Sequence, residues 1–229
     1  MARFVLLASP LLGPASWGPT AAELRALGHG AETPAWPRLA DIEEGFYEGL
    51  AAGMAAQLVT GEAPILAAHS GAGALLPALV ARLAAPPAAA VFVDAILPHP
   101  GKSWFDTAPA DLRRSLQEGV MAGLLPAWHE WWPPGALEKL VPDAARRAAL
   151  IAELEPIPAG FFEEPAPGAR LAAPAGYLRL SGAYEDEAAR ASALGWPVMR
   201  LPLHHLAILT QPSAVAAALV STAERLSAI

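Results

Sequence analysis

Apolar positions in this chain follow two rhythms that alternate along its length. Short unbroken runs read as buried strands: Arg3–Ala8, Pro64–His69 and Ala88–Ala95, the last containing Val91-Phe-Val-Asp94. Ala175–Ser181 and Trp196–Leu201 add two more, and Gly30–Pro34 is a weaker one. Helix signals fill the stretches between them. Thr20-Ala-Ala-Glu23 has the spacing of a capping box and predicts a helix to Leu27, stopped by Gly28. Asp41-Ile-Glu-Glu44 opens a second helix, expected to reach about Thr60. Gly71–Ala84 is helix-like with a kink expected at Pro77, Glu187–Leu194 separates the last two strands, and Pro212 to about Ser227 is an alanine-rich terminal helix. This alternation predicts an α/β fold: an open, mostly parallel six-stranded sheet with helices on both faces and right-handed crossovers.

The rhythm breaks between about Leu97 and Ala173, where no good strand is expected. This segment holds Trp104, Trp128, Trp131, Trp132, Phe161 and Phe162, with proline-broken helices predicted at Asp111–Met121, Leu124–Trp132 and Asp143–Glu155. It is too apolar to be disordered. We read it as a helical cap, residues 97–173, inserted between two parts of an α/β core, residues 1–96 and 174–229. A cap placed there covers the C-terminal ends of the strands, where ligands bind in open α/β sheets.

Composition narrows the functions. Of 229 residues, 54% are apolar and 16% charged, enough for one well-filled core. A net charge of −7 argues against nucleic acid or an anionic membrane as partner, because no basic patch is available to neutralise phosphates. The absence of cysteine excludes disulfide scaffolds, thiolate metal sites and thiol nucleophiles together. Arg3–Ala8 reads as a first strand rather than a signal peptide, since Pro10 interrupts the apolar run and Arg3 is its only leading charge. No apolar run is long enough for a transmembrane helix. The expectation is a cytoplasmic protein with a small-molecule substrate and no cofactor or metal, its oligomeric state left open.

The chemistry centres on Ser70. It follows an apolar strand and precedes a helix, in Ala68-His-Ser-Gly-Ala72. A serine at such a turn adopts a strained backbone that lifts its hydroxyl clear of the sheet, and only small residues at −2 and +2 let strand and helix approach. Alanines occupy both positions. A serine nucleophile needs a base. Of six histidines, His205 follows the last strand and precedes the terminal helix, which puts it at the same sheet edge. His204 is its rival, pointing elsewhere. Glu185 is the first choice for the carboxylate that orients the base, in Ser181-Gly-Ala-Tyr-Glu-Asp-Glu187. Asp186 and Asp94, at the end of the preceding strand, are the alternatives. The N–H of Gly71 is expected to stabilise an oxyanion. His69 is expected to pack or hydrogen-bond locally and His29 to lie at the surface. His99, Trp128 and Trp132 are candidate pocket residues, although a tryptophan cluster of this kind is more often cap core than substrate platform.

The order Ser70, acid, His205 resembles that of the α/β-hydrolase fold superfamily, most closely its small members similar to methylesterases and hydroxynitrile lyases. Phe4-Val-Leu-Leu-Ala-Ser-Pro10, Trp17 and Gly28-His29 resemble their opening strand, oxyanion loop and first helix, and Trp196-Pro-Val-Met-Arg-Leu-Pro-Leu-His-His-Leu206 resembles the run into their histidine. The resemblance covers nearly the whole chain except the cap. It implies a serine esterase with a Ser-His-acid triad, or a relative running lyase-type chemistry, or a non-catalytic binding protein on the same fold. Two positions depart from the pattern. The family has glycine before the histidine, where His204 stands here. It has His-Gly in the oxyanion loop, where this chain has Ser9-Pro10. Proline has no N–H to donate, so Leu11 is expected to supply the second donor.

Overall fold

A computed structural model describes residues 1–43, 45–58 and 61–227. In chain order the elements begin with β1 (Arg3–Leu7), α1 (Gly18–Ala26), β2 (Gly30–Glu32), α2 (Phe46–Gln57), β3 (Ile65–His69), α3 (Ala72–Val80) and β4 (Ala89–Val93). The segment after β4 holds α4 (Trp104–Thr107), α5 (Ala110–Glu118), β5 (Leu124–Leu125), α6 (Ala136–Leu140), α7 (Ala144–Ile151), β6 (Ile157–Pro158) and α8 (Ala159–Glu163). The chain then returns to β7 (Ala175–Arg179), α9 (Glu185–Ala193), β8 (Val198–Arg200), α10 (Ala207–Thr210) and α11 (Pro212–Ser227).

Six strands form one sheet in the order β2-β1-β3-β4-β7-β8, every pair parallel. The expected strands are all present, each shorter than expected by one to three residues. A parallel sheet buried on both faces needs continuous apolar strands, and β3 and β4 are buried throughout. One face packs against α1 and α11 through Trp17, Leu24, Val215 and Leu219. The other packs against α2, α3 and α9 through Met54, Leu76, Leu79 and Ala188. Strand order reverses at β1, which has β2 on one side and β3 on the other. A crevice opens at such a switch point, outside the carboxyl ends of the strands. The loop after β1 and the turn after β3 border it.

Three local readings differ from the expectation. Thr20 does not cap a helix: α1 starts at Gly18, and the buried Thr20 hydroxyl donates to the Ile208 carbonyl at 2.6 Å. The second helix starts at Phe46 rather than near Asp41, and its first N–H groups are met by a carboxylate distant in sequence. Glu164 accepts from Phe46 and Tyr47 at 2.6 and 3.2 Å. Glu44 and Thr60, which bracket the expected helix, lie outside the described residues. Leu124–Trp132 is not a helix. β5 pairs antiparallel with β6, and only Trp128–Trp131 turn as a 3-10 helix, with Trp131 Nε1 donating to Pro126 O at 2.8 Å. Pro126 and Pro133 bracket this stretch and deny it a regular α-helical ladder. In contrast, α3 carries Pro77 within it, as the sequence suggests.

Residues 97–173 pack over the crevice through two aromatic-rich clusters. Phe105, Leu116, Phe161 and Phe162 join Tyr47, Leu50 and Leu75 of the sheet-packing helices. Trp128, Leu137, Val141 and Leu150 join Leu12, Leu206 and Leu209. Among the described residues, no helix is long and apolar enough to cross a membrane.

Candidate active site

Ser70 sits between β3 and α3 with φ of 56°, a left-handed conformation that a residue with a Cβ adopts at a cost. Three backbone hydrogen bonds hold it there. Its N–H donates to Val93 O at 3.3 Å, and its carbonyl accepts from Gly73 N at 3.2 Å and Ile96 N at 3.0 Å. Ala68 and Ala72, the small flanking residues, are both fully buried. The closest approach is one residue further on, at Gly73, where a Cβ would collide with the Ile96 carbonyl and the Phe92 ring. Ser70 itself is half-buried at this turn, immediately before α3.

His205 reaches the same edge from the loop between β8 and α10. Its Nδ1 lies 2.9 Å from Oδ2 of Asp94, the residue that follows β4. Asp94 is fully buried and also has a positive φ, 45°. Its Oδ1 accepts from the N–H groups of Leu180 and Ser181 at 2.8 and 2.9 Å, and its Oδ2 from the Ser181 hydroxyl at 2.6 Å. Burial alone would push this carboxyl up, but the hydrogen bonds from His205 and Ser181 outweigh it and hold Asp94 below its ordinary value. An ionised Asp94 is an acceptor only, so the proton in its bond to His205 sits on Nδ1 and leaves Nε2 free to act as a base.

Two rings flank the His205 imidazole. Tyr184 stacks on it at 4.9 Å with an interplanar angle of 2°. His69 lies against it at 4.4 Å and 34°, and His69 Nε2 donates to the His205 carbonyl at 3.0 Å. Burial first, then the nearby His205, pushes His69 well below the usual histidine range, so it stays neutral. The Tyr184 hydroxyl is 3.3 Å from Ser70 Oγ. Burial raises its pKa, so it stays protonated, a neutral hydroxyl beside the serine. Nothing in the sequence pointed to Tyr184. The only available signal was an aromatic in the loop where an acid was expected.

The expected acid is displaced. Glu185 heads α9 with its carboxylate turned outward, bonded to Arg200 and Arg179, each at 2.9 Å, and those arginines hold it below the usual range. It does not approach His205, and Asp186 is exposed on the same turn. The reason is positional. β4 lies between the strand that carries Ser70 and β7, so a short side chain at its end points into the crevice, whereas the first turn of α9 has already left the sheet. Glu187 accepts from Leu97 N at 3.0 Å and pairs with Arg190. His204 turns away from Ser70 and meets Thr210 Oγ1 at 3.0 Å.

Gly71 follows the serine, and its N–H has no acceptor among the described residues. Leu11 is arranged differently from the expectation. Its N–H is directed at Ser9 Oγ, 3.3 Å away, inside its own loop. Beside Gly71 runs a narrow apolar recess walled by Ser9, Tyr47, Leu75, Trp104, Phe161 and Phe162. The three pocket candidates are not among its lining. His99 is buried behind it, bonded to the Tyr47 hydroxyl at 3.2 Å and to Leu97 O at 3.2 Å. Trp128 is buried in the cluster with Leu137 and Leu150, and Trp132 is 41% exposed against it. Among the described residues, no group of three or more histidines and carboxylates is spaced to hold a metal ion.

No protein-family model matches the chain, and no curated protein matches it in sequence. Solved structures do match. An extracellular α/β-hydrolase from a Paenibacillus species, described as sharing structural and functional homology with tobacco salicylic acid binding protein 2, superposes with a TM-score of 0.78 at 22% identity, covering 97% of this chain and 99% of that one. Polyneuridine aldehyde esterase gives 0.73 at 15% identity, over 96% and 99% of the two chains. A pyrethroid hydrolase from Sphingobium faniae gives 0.71 at 17% identity, over 97% of each. The chain has the α/β-hydrolase fold.

Proposed function

We propose that this protein is a serine hydrolase that cleaves a small, largely apolar carboxylic ester or a related acyl compound. One observation carries the reading: a serine strained to a φ of 56° shares a sheet edge with a His205–Asp94 pair bonded at 2.9 Å. In this reading Ser70 Oγ exchanges its contact with Tyr184 for one with His205 Nε2 and attacks the acyl carbon as its proton passes to Nε2. Asp94 holds the imidazole in the required tautomer and stabilises the imidazolium. The charge on the substrate oxygen meets the Gly71 N–H at the start of α3. His205 then protonates the departing alcohol, and a water, deprotonated by His205, releases the acyl group from Ser70. Residues 97–173 act as the cap, and the aromatic lining of the recess supports an apolar acyl chain.

A fluorophosphonate probe tests nucleophile and base without knowledge of the substrate. Labelling should map to Ser70 and be lost in Ser70→Ala, and His205→Ala should slow it by several orders of magnitude. Labelling that persists in Ser70→Ala would overturn the assignment.

A second reading, non-hydrolytic chemistry by the same residues, is favoured by Pro10, which removes a backbone donor from the oxyanion loop. Mass spectrometry of the product formed in 18O-labelled water separates the two. Hydrolysis incorporates solvent oxygen into the acid, and lyase-type chemistry does not.

A further inference from the structure

We propose that the side-chain hydroxyl of Ser9 is the second oxyanion donor of this site. The inference rests on the reading of Ser70 as the nucleophile and adds a catalytic group to it. Backbone donors in the loop after β1 are spent or missing. Pro10 has no N–H, the Leu11 N–H goes to Ser9 Oγ at 3.3 Å, and the Leu12 N–H goes to the Ser9 carbonyl at 2.8 Å. That leaves the N–H groups at the start of α3, led by Gly71 next to the serine, and donors from one side alone are a weak cradle for a full oxyanion charge.

Ser9 supplies what is missing. It is 1% exposed, and its Oγ accepts from Leu11, yet its own O–H has no acceptor among the described residues. A buried hydroxyl with an unspent proton costs stability unless something uses it. Accepting from Leu11 polarises the O–H and strengthens it as a donor. Its location fits the task. Ser9 and Gly71 wall the same recess, and Ser9 Oγ lies 3.3 Å from the point a Cβ on Gly71 would occupy. The proton stays on Ser9 throughout. The hydroxyl contributes a hydrogen bond that shortens as the carbonyl oxygen takes up charge.

The Cδ of Pro10 marks where the lost donor would have been. It replaces the hydrogen of residue 10, and it lies 3.7 Å from the same Gly71 point. An N–H at position 10 would therefore face the space that the Ser9 hydroxyl serves, which makes a rescue possible.

The test uses hydrolysis of p-nitrophenyl acetate and fluorophosphonate labelling of Ser70 on the full chain. Ser9→Ala should lower kcat by about 10²- to 10³-fold with little change in KM, because the lost bond forms in the transition state. Ser9→Thr should stay within about tenfold of the wild type, since it keeps the hydroxyl. The double variant Ser9→Ala, Pro10→Gly should regain at least about tenfold over Ser9→Ala, a recovery that a packing role for Ser9 would not produce. Should Ser9→Ala fail to fold, Ser9→Cys keeps the shape with a weak donor and should show the same loss in kcat. A folded Ser9→Ala or Ser9→Cys with wild-type turnover, or a folded double variant no faster than Ser9→Ala, would overturn the inference while leaving Ser70 as nucleophile. A wild-type protein that takes up no probe at Ser70 would overturn the underlying reading and this inference with it.

Discussion

At the scale of single residues, the site depends on where one carboxylate sits. Asp94 follows directly on an apolar strand, and a buried acid is tolerated only when it is fully bonded, as it is here by Leu180, Ser181 and His205. Asp94→Asn should lower kcat by about 10⁴-fold, because an amide facing Nδ1 favours the wrong imidazole tautomer. Glu185→Gln should leave turnover near the wild type, since that carboxylate only bridges two arginines. Turnover measured in the two variants separates the candidates, and the reverse ranking would restore Glu185. Stability gives an independent readout. Asp94 is held below its ordinary value in the folded chain, so its contribution is complete above the unfolded value of about 3.9 and is lost as pH falls through the lower folded one. Urea midpoints of the wild type should fall from about pH 5 downward, and those of Asp94→Asn should fall less over the same window. The neutral Tyr184 adds no such limb. Tyr184→Phe keeps the ring stacked on His205 and should leave the shape of the pH–rate profile unchanged. The meeting of Ser70 and His205 at one sheet edge was legible in the sequence, because each stands at a strand-to-helix junction; the roles proposed for them rest on the experiments above. Asp94 beside His205 was legible only as an alternative, since nothing local shows that β4 borders the strand leading into Ser70.

Elements were read well wherever one segment decides its own conformation, and poorly where the partner is distant. The continuous apolar runs of β1, β3 and β4 are unambiguous, and their ends shift only by a residue or two. The start of α2 was misread because its cap is Glu164, more than a hundred positions away. The Trp128–Trp131 turn departs from the expected helix because the flanking prolines forbid a full ladder. The junction of β3 and α3 shows the same tension in its glycine. Alanines serve at the two positions flanking the serine, and the contact that lets α3 close on β4 falls at Gly73. Gly73→Ala forces a methyl group onto the Ile96 carbonyl, whose N–H also holds Ser70 O. It should cost about 1–3 kcal/mol, lowering the melting temperature by several degrees, and should slow Ser70 labelling because the strained turn relaxes. Gly168→Ala, with nothing within 4 Å of its new methyl, is the neutral control. Equal melting temperatures for the two would mean that the turn yields to the added methyl without cost.

For the whole molecule, the sheet edge carries Ser70, Asp94 and His205, and the segment between β4 and β7 supplies aromatic walls to the recess beside Gly71. Phe161 and Phe162 of α8 and Trp104 of α4 meet Tyr47 and Leu75 around the recess beside Gly71. Composition marked this segment as aromatic and ordered. It did not say which aromatics line the recess and which form a separate core, because that depends on how short proline-broken helices fold back on one another. Trp128 went to the core cluster and Phe161 to the recess. If the recess receives the acyl chain, its depth sets chain-length preference. Phe161 touches Phe46, Tyr47 and Phe162 edge-on or tilted, so a smaller side chain lengthens the recess without uncovering the sheet. Phe161→Leu should therefore raise the ratio of kcat/KM for p-nitrophenyl hexanoate to that for the acetate by about tenfold, the scale expected when room for a methylene or two is added to an apolar pocket. If the recess receives the acyl chain, the change should fall mainly on the longer ester, because a short acetyl group fills less of it and Ser70, Asp94 and His205 are untouched. A ratio unchanged by the substitution would mean that the acyl chain lies elsewhere, along the open side of the crevice, and that the aromatics of α8 serve only to hold the segment on the sheet.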